Sequence, residues 1–163
     1  TSQRSRAELS DSQKLQLDFW TGFRTHIDEM IVPFKVGKPQ PTTYMNAGIG
    51  RSGFSIVPVA SRWNNVDNTY DTHELRVELY LDSINAKVHY QGLIDQKESI
   101  RKDLGKDLTW HNDPELKSCK IFVRNAPVHI DNRDSWPSYY EWLTEEATDF
   151  YNYFKPIVSS LEP

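Results

Sequence analysis

In HELRVELYLD, residues 73–82, polar and aliphatic side chains alternate without a break from Glu74 to Asp82. Successive residues of a β-strand point to opposite faces, so Leu75, Val77, Leu79 and Leu81 form one wall and Glu74, Arg76, Glu78, Tyr80 and Asp82 the other. A chain built around such a strand must cover one side of a sheet with apolar groups. The other side is left to water or to a ligand.

The remaining elements supply that cover. Ser10 and Gln13 form a capping box, and Leu15, Phe19, Phe23, Ile27 and Met30 follow at helical spacing until Pro33. TTYMNAGIG reads as a short strand or irregular loop. FSIVPVASRW has strand chemistry, with Pro58 placing it at an edge or on a bulge. Asn85 is expected to cap one helix running through Tyr90, Leu93, Ile94, Ile100 and Leu104 to Gly105. LTWHND and KSCKIFVRN read as strands, the latter with Cys119, Ile121 and Val123 on one face and Lys120, Phe122 and Arg124 on the other. Ser135 opens a last helix with its stripe at Tyr139, Leu143, Ala147, Phe150, Phe154 and Ile157, which Pro156 kinks or stops. No strand–helix–strand series repeats, which argues against a doubly wound parallel sheet. The expected fold is α+β: a two-layer sandwich in which three helices cover a mainly antiparallel sheet of four to five strands. Residues 1–10 are expected to be a flexible segment ahead of a single domain over 11–163.

Charge and cysteine usage bound the function. The net charge is −4, but Asp131, Asp134, Glu141, Glu145, Glu146 and Asp149 stand against Arg133 alone in residues 131–154, so the rest is nearly neutral. A protein living on phosphate contacts normally carries a clear basic excess. The lone Cys119 excludes an internal disulfide and any multi-cysteine zinc site, and fits a cytoplasmic setting. No apolar run approaches the length of a membrane span.

Four motifs invite a chemical reading. In NAGIGRSGFSIVPVASRW the glycines at 48, 50 and 53 precede a strand rather than a helix, and no Lys-Ser/Thr pair follows. The stretch reads as a turn, with Arg51-Ser52 as a subordinate anion contact. Glu115-Leu116-Lys117 has the letters of a nuclease E-x-K but sits in a turn, where nothing rigid holds it; Glu74-x-Arg76 and Glu78-x-Tyr80 lie on a strand but lack the lysine. The histidines 26, 73, 89, 111 and 129 form no metal-ligand spacing, and Cys119 faces the apolar side of its strand. No catalytic residue, metal or cofactor follows from these patterns. There remains the open sheet face, where cations stand beside aromatics as single-stranded nucleic acid requires. The candidate contacts to DNA or RNA are Arg51, Arg62, Arg76, Tyr80, Lys120, Phe122 and Arg124. The alternative is self-association or protein interaction anchored on Trp20, Trp136, Trp142 or Phe122, and a less favoured one is a metal-dependent nuclease using Glu115 or Glu78.

LDFWTGFRTHI, GRSGFSI, ELRVELYL, IRKDLGKDLTW, CKIFV and YYEWLTEEATDFYNYFKPIVSSL together resemble a bacterial and archaeal family, domain of unknown function 4268, from about Leu15 to Leu161. The resemblance implies a domain at the C-terminal end of longer proteins, behind a restriction-endonuclease-like nuclease module. It implies a non-catalytic accessory role in DNA processing or defence, with the nuclease module as a partner and any cutting done elsewhere. It carries over no catalytic residues.

Overall fold

A computed structural model describes residues 6–162. Chain order is α1 (Asp11–Asp28), β1 (Ala47–Gly48), β2 (Phe54–Ser61), β3 (His73–Leu81), α2 (Ala86–Ile94), α3 (Lys97–Leu104), β4 (Thr109–His111), β5 (Cys119–Val128) and α4 (Trp136–Ser160). The strands form one antiparallel sheet in the order β1-β2-β3-β5-β4, so the protein is the α+β type expected, with five strands and four helices among the described residues. Of the segment expected to be loose, residues 1–5 lie outside the described ones. Arg6–Glu8 form one 3-10 turn, and Leu9 is buried.

The central strand behaves as its alternation requires. Leu75, Val77, Leu79 and Leu81 are fully buried, and Ile56, Leu79, Ile121 and Trp110 line up across four strands on the same face. Helices α4 and α2 pack onto this face and α1 packs against α4, so that Phe19, Phe23, Leu93, Leu143, Phe150 and Phe154 share one core. The capping box opens α1: the Gln13 amide donates to Ser10 Oγ (3.2 Å) and the Ser10 amide to Gln13 Oε1 (3.0 Å). Helix α1 stops at Asp28, which leaves Met30 exposed rather than in the stripe.

Three expectations need correction. Pro58 lies one strand in from the sheet edge, not on it. Its missing N–H is tolerated because β1 is only two residues long; beyond it, the Met45 amide donates to the Pro58 carbonyl and the Ala60 amide to Thr43 (3.1 and 2.8 Å). The single helix expected from Ala86 to Leu104 is two helices, broken at Asp95–Gln96, and Asn85 makes no side-chain cap. The second half is drawn toward α4, where the Tyr153 hydroxyl donates to Asp103 and Lys106 pairs with Glu146 and Asp149. Gly105 does close α3 in the left-handed conformation. Ser135 makes no cap bond either, and α4 continues one turn past Pro156 to Ser160, burying Tyr140 and Val158 where Tyr139 and Ile157 were expected.

Gly22 sets the approach of α1 to α4. A Cβ there would meet the Tyr140 ring and hydroxyl, and that hydroxyl donates to the Phe19 carbonyl at 2.7 Å in a buried setting. Gly22→Ala should therefore destabilise the fold by about 1–3 kcal/mol through overpacking. In urea unfolding, adding Tyr140→Phe should recover part of that loss, so the two changes should couple rather than add.

At the start of β3, His73 is buried and its Nδ1 accepts the Ile130 amide at 2.9 Å. A ring nitrogen accepts only while unprotonated. Burial holds the pKa of His73 below its ordinary 6.5; Asp131 opposes this, and Arg62 and His129 add to it. The unfolded chain then binds the proton first, so this contribution to stability is complete above about pH 6.5 and declines as pH falls below it. His73→Gln, whose amide oxygen accepts at every pH, should flatten that part of a urea midpoint–pH curve.

Candidate nucleic-acid interface

The outer face of the sheet is arranged in rows set by strand register. Val59, Arg76 and Arg124 share one row, Val57, Glu78, Phe122 and Thr109 the next, and Ser55, Tyr80, Lys120 and His111 a third. Tyr44 bridges to Val59 and so extends the first row. Along β3 this places Arg76 between Glu74 and Glu78 at a spacing of two residues.

Those neighbours are bonded. Arg76 donates from Nη1 to Glu74 Oε2 (2.6 Å) and from Nε to Glu78 Oε2 (2.9 Å), and Arg124 Nε also donates to Glu74 Oε2 (2.9 Å). The other oxygen of Glu74 accepts the backbone and side-chain N–H groups of Asn65, from the loop that folds over this end of the face. The Glu74 side chain is wholly buried. Burial alone would raise its pKa, but the Asn65 amide, Arg76 and Arg124 outweigh it and hold the carboxyl below its ordinary value of 4.5. Lys120 is the loosest member, with Nζ at 3.6 Å from Glu78 Oε2 and 31% of its side chain exposed.

Beneath these cations lies Phe122. Its ring centroid is 5.1 Å from the Arg124 guanidinium carbon, 5.5 Å from that of Arg76 and 5.9 Å from Lys120 Nζ. The ring is buried, contrary to the expectation of an exposed stacking platform. The reason is the length of its neighbours: arginine and lysine side chains lie down over an aromatic face, attracted by its quadrupole, and close it to water.

Beside this charge ladder the face opens into a groove of about 510 Å³. Its floor is Ser55, Val57, Val59, Arg76, Glu78, Tyr80 and Lys120, and residues 43–46 provide a wall. Tyr44, 45% exposed, stands at that wall with Asn46. Sequence reasoning missed both, although a signal was present. Met45, Ala47 and Ile49 are buried, so Tyr44 and Asn46 fall on the opposite side of an alternating segment.

Of the seven expected contacts, Arg76, Tyr80 and Lys120 meet in the groove, and Arg124 flanks it through Glu74. Arg51 lies elsewhere. Its Nη1 donates to the carbonyls of Val158 (2.8 Å) and Leu161 (2.7 Å) at the end of α4, and its guanidinium sits over Phe54, so it faces the helical layer. The glycine-rich stretch is a turn with positive φ at Gly50 and Gly53. Arg62 is also off the face, near Lys14 and Arg133 around the start of α1. The dimer anchors fare similarly. Trp20 and Trp136 are buried and donate their indole N–H to Thr42 and Ile130 carbonyls, and Trp142 packs half-buried against the core. Glu115 lies in an exposed turn, and the buried Cys119 thiol has its pKa raised by burial. Among the described residues no group of three or more His, Cys, Asp or Glu is placed to hold a metal ion, and no helix is long and apolar enough to cross a membrane.

The chain is thus an α+β domain with a helix-covered sheet and a grooved, ion-paired outer face. Over residues 15–158 it matches the family model described as Domain of unknown function (DUF4268), and it belongs to that family. No curated protein and no solved structure matches it.

The ladder makes a stability prediction. Glu74→Gln leaves two half-buried guanidinium groups short of a partner and should cost about 1–3 kcal/mol in urea unfolding at neutral pH. Because the carboxyl's pKa is depressed in the folded state, its contribution is complete above about pH 4.5 and is lost as pH falls through that range. The gap between wild type and variant should therefore narrow below pH 4.5.

Proposed function

We propose that this domain is a non-catalytic module that holds single-stranded nucleic acid across the outer face of its sheet. We further propose that it serves a nuclease or defence-type parent protein in the cytoplasm. The observation that supports this reading is the meeting of Arg76, Tyr80 and Lys120 in one groove with the exposed ring of Tyr44. Bases splayed from a single strand need aromatic faces to stack on, and their phosphates need cations nearby. Tyr44 offers the most open ring, and Lys120, the least tightly paired cation, is the natural phosphate contact. Arg76 is committed to Glu74 and Glu78, so it orients the face more than it neutralises phosphate. Arg76, Arg124 and Lys120 stand against Glu74, Glu78 and Asp82, three charges against three, so binding here is weak and its salt sensitivity rests on Lys120.

Fluorescence anisotropy with labelled oligonucleotides at low salt tests the reading. Single strands should bind more tightly than duplexes of the same sequence. Lys120→Ala should lower the slope of log affinity against log salt by about 0.7, the increment for one phosphate contact on a single strand. Tyr44→Ala should weaken binding about tenfold and leave that slope unchanged, since stacking carries no counterion term. No binding of any strand below about millimolar would refute the proposal.

A further inference from the structure

We infer that Glu78 makes the groove selective for guanine among unpaired bases. This inference rests on the single-strand reading above. The Glu78 side chain is only 6% exposed, yet the residue lines the groove. Its Oε2 is taken by the Nε of Arg76 and faces the ammonium of Lys120, whereas Oε1 accepts no hydrogen bond among the described residues. A carboxylate oxygen is acceptor-only, so what Oε1 can take from a ligand in the groove is an N–H or O–H donor. A phosphate cannot fill that place, because both groups are anionic. The floor beside Glu78 is therefore a place for a base edge, with phosphates kept to Lys120 and the groove's rim.

The four bases differ in what they bring to such an oxygen. Guanine presents two adjacent donors, N1–H and the 2-amino group, next to the acceptor O6. Adenine and cytosine present one amino group, and thymine one imino group. Lys120 Nζ, 3.6 Å from Glu78 Oε2, supplies the donor that O6 needs beside the carboxylate. Only an unpaired guanine has this edge free. Asp82, which also lines the groove, adds a second acceptor and disfavours bases that offer mainly ring nitrogens and carbonyls.

The test uses fluorescein-labelled thymidine strands of about eight nucleotides, a length within the range one such site spans. Each carries a single central deoxyguanosine, deoxyinosine, deoxyadenosine or deoxycytidine. The guanine strand should bind the wild-type domain about tenfold more tightly than the adenine or cytosine strand, as expected for one well-made base-edge contact. Inosine lacks only the 2-amino group and should lose several-fold of that advantage. Glu78→Gln should erase the ranking of guanine over adenine. Because Glu78 also pairs with Arg76 and Lys120, the inosine comparison is made on the unaltered protein and does not depend on how well the variant folds. Equal affinity for the four strands would overturn guanine selectivity and leave the single-strand reading standing. Failure of every strand to bind would overturn both.

Discussion

The sheet is held by the burial of one wall of β3. Leu75, Val77, Leu79 and Leu81 lie in the middle of five strands and lose all contact with water beneath α4 and α2. A fully buried leucine or valine contributes on the order of 1.5–3 kcal/mol, so the four together are worth roughly as much as the whole net stability of a typical domain, about 5–15 kcal/mol. Because side chains alternate, satisfying that wall fixes every residue on the opposite one. Glu74, Arg76, Glu78 and Tyr80 have no freedom to choose their side of the sheet, and a one-residue slip of register would put charges into the core.

The outer wall solves a different problem. It carries carboxylates that are almost as buried as the leucines behind them, and such groups are costly unless they are bonded at nearly every oxygen. Glu74 meets that condition with two arginines and Asn65. Glu78 is bonded at Oε2 and keeps Oε1 open to solvent at the groove. The difference divides the face into a finished end, where Asn65 and two guanidinium groups close over Glu74, and an unfinished end around the groove. Electrostatic order on this face thus runs from rigid to receptive over a few residues of one strand.

Much of this was legible in the sequence because it depends on period. The alternation of β3 and β5, the stripe of α1 and its capping box are local patterns, and the residues sharing the groove floor follow from which of them face the same way. What escaped was decided by contacts between distant segments. Arg51 lies more than a hundred positions from the helix end whose carbonyls it meets, and nothing in GRSGF announces that partner. Phe122 reads as exposed from its place opposite Ile121, yet three long cationic side chains from two strands cover it. The division of α2 from α3 depends on Lys106 and Tyr153 reaching across to neighbouring elements. Tyr44 could have been placed by the rhythm of Met45, Ala47 and Ile49, a pattern obscured by the glycines around it.

The fastening of α4 has a mechanical consequence. Arg51 grips the carbonyls of Val158 and Leu161, and a ring nitrogen of His89 lies 2.6 Å from the carbonyl oxygen of Glu162. Force applied at that end of the longest helix would not simply peel its final turn. It would be shared with the bend leading into β2 and with α2, so that a tug on the tail loads the rim of the sheet before any coil unwinds.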